Sequence, residues 1–176
     1  MRLDPERTAL VLIDLMPRII GMETAPYSGD AVLANCLRLA DAFQAVYAPV
    51  VSVRVERPNT RQQPEGSELV PAVLERSDVE VVKRSWGAFY KTNLHAVLGA
   101  RGIRMIVFGG IATNMGVEST VRAAADYGYK LVLVEDAMTG ADAAAHKFAI
   151  DYVFPKLGTV TSTDKVLAEL GSPPPG

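Results

Sequence analysis

Short runs of β-branched and apolar residues alternate with amphipathic stretches along nearly the whole chain, and this alternation limits the possible folds more than any other feature. TALVLIDL (8–15), PVVSVRV (49–55), VEVVK (79–83), IRMIVFGG (103–110), KLVLVED (130–136) and GTVTS read as strands. Between them, residues 29–47, the stretch NLHAVLGARG closed by Gly102, the run from about Met115 to Gly128, residues 142–153 and TDKVLAEL read as helices. Gly128 stands where a left-handed residue commonly closes a helix. Six strands joined by crossovers predict an α/β fold, a three-layer αβα sandwich with a Rossmann-like, mostly parallel six-stranded sheet and right-handed connections.

The chain has 176 residues, 49% of them hydrophobic. That suffices for one core, so a single domain over 1–176 is expected, with GSPPPG (171–176) frayed at its end. The segment 56–78, rich in Pro, Gly, Asn and Gln, reads as a long connection with a short helix in SELVPAVLE. Connections of that length in compact domains usually act as lids or interface loops.

Charge narrows the partners. Lys and Arg total 18 against 20 Asp and Glu, a formal charge of -2, so no broad basic field exists for nucleic acid or an anionic membrane, and a small molecule is the expected ligand. No apolar run reaches the roughly 18 residues of a spanning helix. The opening MRLDPERTALVLIDL lacks the order of a signal peptide, and a cytoplasmic location is expected. The single cysteine, Cys36, excludes an intrachain disulfide and a multi-thiolate metal site. It shares a helical stripe with Leu33, Ala40, Phe43 and Tyr47, which predicts a buried, inert thiol.

In doubly wound sheets the ligand lies outside the carboxyl ends of the strands, where the strand order reverses, which points to the ends of the first and fourth strands. Asp14 ends the apolar run ALVLI and Lys83 ends VEVV. Taken alone, Asp14 reads first as a helix or loop cap and Lys83 as a strand-end charge in solvent; together they predict a dry ion pair of the kind that perturbs pKa values at functional sites. WGAFY (86–90) brings Trp86, Phe89 and Tyr90, as walls for a flat ligand or as core. GGIATNMG reads as a strand-to-helix turn whose backbone N–H groups favour an oxyanion or carboxylate. GxxxxGK and GxGxxG are both absent, and no cofactor is expected.

With those residues in view, the chain resembles the isochorismatase-like, or cysteine hydrolase, superfamily across almost its full length. The resemblance rests on ALVLIDL, KRSWGAF and above all GIATNMGVESTVRAAADYGY, where Gly110, Thr113, Val117, Thr120, Arg122, Ala124, Asp126, Gly128 and Tyr129 fall on the family's pattern. Gly116 stands at the position of the family's nucleophilic Cys. The resemblance implies a hydrolase with Asp14, Lys83 and Gly116 at the catalytic centre, an oxyanion site formed by the backbone at Ala112 and Gly116, and a cis peptide at Ile111–Ala112. It also implies a homodimer or homotetramer. Met16 replaces a common Gln, Gly87 replaces a Ser, and VRVERPNTRQQPEG lacks the His of the family's metal-binding members, so no metal is expected. His95 and His146 fall on predicted helices, with surface or capping roles expected. Isochorismatases, which cleave a vinyl ether, resemble this chain in having Gly at the Cys position. The expected chemistry is therefore vinyl-ether hydrolysis with Asp14 as general acid. The alternatives are amide or carbamoyl hydrolysis by water with Asp14 as base, and an inactive member that binds a metabolite or assembles.

Overall fold

The computed structural model describes residues 3–170. The expectation for the GSPPPG tail lies outside the described residues. Strands β1 (Thr8–Ile13), β2 (Val50–Val55), β3 (Val79–Lys83), β4 (Met105–Ile111), β5 (Lys130–Thr139) and β6 (Thr159–Thr161) form one parallel sheet in the order β3-β2-β1-β4-β5-β6. The helices are α1 (Pro17–Ile20), α2 (Gly29–Ala45), α3 (Pro71–Leu74), α4 (Leu94–Ala100), α5 (Glu118–Asp126), α6 (Ala143–Phe148) and α7 (Thr163–Leu170). The α/β sandwich read from the alternation of runs is the fold observed.

Side-chain alternation on β1 divides the core. Ala9, Val11 and Ile13 point into one apolar layer with Leu94 and Leu98 of α4, Val121 and Ala124 of α5, and Ile150 and Val153. Leu10 and Leu12 point into the other, with Leu39 and Phe43 of α2, Val73 of α3, and Val166 and Leu170 of α7. Every residue of β1 is buried, as a central parallel strand requires. Capping agrees with the local sequence: Ser28 accepts from Ala31 N at the start of α2, and Asp142 from Ala145 N at the start of α6.

Two elements differ from the reading by eye. β5 runs three residues past Asp136, because the polar residues that suggested its end have partners of their own. Tyr27 donates to Glu135 at 2.5 Å, and Asp136 accepts from the Thr163 backbone N–H and hydroxyl at 2.7 and 2.8 Å, capping α7. The helix expected over 142–153 begins as α6 and continues through a π-helical turn (149–153) into a short 3-10 turn (154–156), where Pro155 supplies no N–H.

The strand order reverses between β1 and β4, where Gly110 pairs with Ile13 at the end of β1. Gly110 has φ 127°, and a Cβ at that position would lie 2.2 Å from the Ile13 carbonyl oxygen. A side chain at position 110 would push β4 away from the end of β1, where Asp14 leaves the sheet.

Candidate active site

Asp14 follows β1 with φ 55°, in the left-handed region that Asp tolerates better than most residues. Its backbone N–H bonds the Val53 carbonyl and its carbonyl accepts from Met16 N, both of which hold this turn. The carboxylate is thereby turned off the strand axis, at the mouth of the sheet. Lys83, the last residue of β3, meets it from two strands away: Lys83 Nζ lies 2.9 Å from Asp14 Oδ2. Asp14 is 4% and Lys83 2% exposed, so the pair expected from the two strand ends exists and is dry.

The pair is asymmetric. The Lys83 ammonium also donates to the carbonyls of Trp86 (3.0 Å) and Ser85 (3.3 Å), so its three N–H bonds are all occupied. Asp14 Oδ1, by contrast, is buried and has no hydrogen-bond partner among the described residues. Burial raises the affinity of the Asp14 carboxyl for a proton above the ordinary carboxylate range, and this outweighs the opposing charges of Lys83 and, more weakly, Arg18.

Above the pair lies the loop from β4 into α5. The Ile111–Ala112 peptide is cis, and residues 113–117 form a π-helical turn, a form that often accompanies functional sites. Gly116 faces the ion pair directly: a Cβ there would sit 3.3 Å from Asp14 Oδ2 and 3.4 Å from Lys83 Nζ. Thr120 fixes this residue, donating to the Gly116 carbonyl at 2.7 Å while accepting from Ala88 N at 3.0 Å. Asp14, Lys83, Trp86, Ile111, Ala112 and Gly116 all line one cleft of about 620 Å³, rimmed by Met22 and Met115.

Three expectations are corrected by the packing. Phe89 does not join Trp86 in the cleft wall; it is buried in the core, with its ring 5.2 Å from that of Tyr127 and 6.1 Å from that of Tyr129. The segment 56–78 is no free lid. Leu69 and Val73 anchor it in the core, and only its first residues border the cleft. His146 is neither a surface residue nor a cap: it is 3% exposed, and its Nδ1 shares a 2.8 Å hydrogen bond with Thr113 Oγ1, at the base of the 112–116 loop. No local signal marks this contact, which joins residues 33 apart.

Burial lowers the proton affinity of His146, against the weaker pull of Glu135 and Asp151. The unfolded chain therefore takes up this proton first, and the stability His146 contributes above the ordinary imidazole value is lost as pH falls through its lowered folded value. Thermal unfolding midpoints are expected to drop between pH 7.5 and 5.5 in the wild type, and to drop less in His146→Asn. An equal drop in both would contradict the assignment.

Cys36 lies on α2, fully buried in the layer opposite Ile13, and burial pushes its thiol well above the ordinary range. It forms no part of the cleft lining. Iodoacetamide is accordingly expected to leave the native protein unlabelled and its activity unchanged; inactivation traced to modified Cys36 would overturn this.

Residues 8–165 match the isochorismatase domain. The chain belongs to the isochorismatase family. This isochorismatase-like hydrolase is 38% identical to the isochorismatase family protein YecD of Escherichia coli O157:H7, over 97% of its own length and all of that protein. An isochorismatase family protein from Burkholderia thailandensis shares its fold with a TM-score of 0.88 at 39% identity, covering 97% of this chain and 98% of that one. Over a shorter stretch of 60 residues, 34% of this chain and 26% of the other, it is 50% identical to the ureidoacrylate amidohydrolase RutB of Agrobacterium fabrum. Among the described residues no helix is long and apolar enough to cross a membrane, and no group of three or more His, Cys, Asp or Glu is placed to hold a metal ion.

Proposed function

We propose that this isochorismatase-family hydrolase cleaves a vinyl ether of the isochorismate type, with Asp14 as the general acid and Gly116 in the place of a nucleophile. The observation that carries this reading is the asymmetry of the ion pair. Oδ2 is engaged by Lys83, whereas Oδ1 is buried, unpartnered and set in surroundings that favour its protonated form. A carboxyl in that state is a proton donor poised closer to neutral pH than a solvated one.

In this mechanism Asp14 Oδ1 delivers its proton to the terminal enol carbon, and the ether carbon becomes an oxygen-stabilised cation. Water adds to that carbon and releases a proton that restores Asp14. The resulting hemiketal then collapses to a ketone and an alcohol, so the net reaction consumes one water. No side chain bonds covalently to the substrate. The space beside Gly116, where even a Cβ would touch both members of the pair, is room for the substrate or the water. For an amide or carbamoyl substrate, by contrast, the backbone N–H groups of Ala112 and Gly116 are the proposed donors to the carbonyl oxygen as it gains negative charge. Trp86 supplies an apolar wall, and the protein works as a homodimer or homotetramer on a small molecule without metal or cofactor.

A second reading draws on the local likeness to RutB. If the Lys83 charge dominates during turnover, ionised Asp14 acts as a base on water attacking an amide or carbamoyl carbonyl. A substrate panel of vinyl ethers, amides and carbamoyl compounds, with a pH–rate profile on whichever is turned over, separates the two. An acid requires kcat/KM to fall as pH rises through the raised Asp14 value; a base requires it to rise. Turnover of none of the three classes would favour a binding protein.

A further inference from the structure

Six charged side chains line the cleft: Arg18, Arg57, Lys83 and Arg84 against Asp14 and Glu56. Asp14 is engaged by Lys83, and Glu56 is held by Arg54 (2.8 Å) and Arg84 (2.5 Å). Arg18 and Arg57 therefore have no carboxylate partner among the described residues. The two differ in how they are held. Arg57 is exposed, on the rising part of the long connection. Arg18 is half-buried on α1, next to Asp14 in the cleft wall, and its Nε donates to Ser67 Oγ at 3.0 Å.

Ser67 is itself 3% exposed, and the Arg18 backbone N–H bonds the Gly66 carbonyl at 3.3 Å. The connection is thus laid against α1 so that one edge of the Arg18 guanidinium is tied down. The remaining N–H donors of its fork are without a carboxylate among the described residues, in a cleft shared with a buried lysine whose own donors are saturated. A guanidinium held by one edge is suited to bind a carboxylate with the other, in a bidentate pair.

We propose that Arg18, oriented by Ser67, is the residue that selects a carboxylate-bearing substrate for this cleft. The inference rests on the cleft around Asp14 being the active site, and it assigns the anionic end of the substrate to Arg18 rather than to Lys83. It also gives the 56–78 connection a task, the fixing of Arg18, in place of the lid role. The chemistry at Asp14 benefits. The Arg18 charge is close enough to oppose protonation of Asp14, and a substrate carboxylate that neutralises it favours the protonated donor as the substrate arrives.

The test compares binding of pyruvate and benzoate with that of their primary amides, by calorimetric titration of the intact protein. Wild type is expected to prefer the carboxylates, and Arg18→Gln to lose roughly 10- to 100-fold in carboxylate affinity with little change for the amides, the usual scale for a charge-assisted hydrogen-bond pair. Arg18→Lys is expected to recover part of the loss, and Ser67→Ala to show a smaller loss of the same selectivity. Equal affinity of wild type for acids and amides would overturn the proposal. So would undiminished carboxylate preference in Arg18→Gln, or a loss confined to Arg57→Gln. Because the readout is binding, it stands apart from the hydrolytic reading. Arg18-dependent carboxylate preference in a protein that turns over no vinyl ether, amide or carbamoyl substrate would sink that reading and leave this one. Turnover lost in Asp14→Asn, with carboxylate preference unaltered in Arg18→Gln, would do the reverse.

Discussion

Asp14→Asn is expected to lower turnover by roughly 10²- to 10⁴-fold, the usual contribution of a positioned acid or base, while the protein stays folded. The amide has the shape of the carboxyl and keeps an oxygen that can accept from Lys83 Nζ, now 2.9 Å from Asp14 Oδ2. What it loses is the exchangeable acidic proton on Oδ1, the buried oxygen that has no partner in the protein. The measurement is kcat/KM on the substrate identified from the panel, together with circular dichroism to establish the fold. Full activity in a folded Asp14→Asn protein would remove Asp14 from the chemistry and with it both hydrolytic mechanisms.

Lys83→Met is expected to cost about 3–5 kcal/mol at pH 7.5, the scale on which a buried ion pair broken on one side destabilises a protein. The loss should shrink as the pH falls, and its sign follows from Asp14. A carboxyl whose folded value is raised contributes stability below its unfolded value and loses that contribution as pH rises through the folded value. In the wild type Lys83 opposes the effect of burial on Asp14, so its removal extends the rise and strands a buried charge at neutral pH. Protonation relieves this. Urea unfolding at pH 7.5 and 5.0 measures the two deficits. Equal deficits would mean that Lys83 stabilises the site only through its bonds to the Ser85 and Trp86 carbonyls.

Asp14 and Lys83 were legible in the sequence for one physical reason. A charged residue ending a run that must be buried on both faces stands out against its neighbours, and a parallel sheet delivers the carboxyl ends of its strands to one edge. The alternation of apolar runs carried the layer architecture in the same way. β3 and α7 coincide with VEVVK and TDKVLAEL, since strong local patterns with a turn on either side leave little freedom. Boundaries were less legible where tertiary partners rescued polar residues, as Tyr27 and Thr163 do at the end of β5.

The aromatic pentapeptide shows the limit of local pattern. Trp86 and Phe89 are three residues apart, yet Trp86 is 66% exposed at the cleft and Phe89 lies in the core against Tyr127 and Tyr129. Nothing in WGAFY separates the two fates, because the deciding contacts come from the distant end of α5 and the turn after it. His146 and Arg18 make the same point for the site itself. Their partners, Thr113 and Ser67, are 33 and 49 residues away.

By itself, then, the sequence determined the sheet, the strand ends that bear Asp14 and Lys83, the loop that bears Gly116, and the family to which these belong. All are encoded in contiguous runs, whose periodicity or spacing survives without knowledge of the rest of the chain. Only the tertiary structure decided that Lys83 is saturated, that Asp14 Oδ1 is left unpartnered, that a Cβ at Gly116 would touch both, and that Arg18 is tied by the long connection beside them. Those properties are distances and burials between segments remote in sequence, and they exist only once the chain has closed around them.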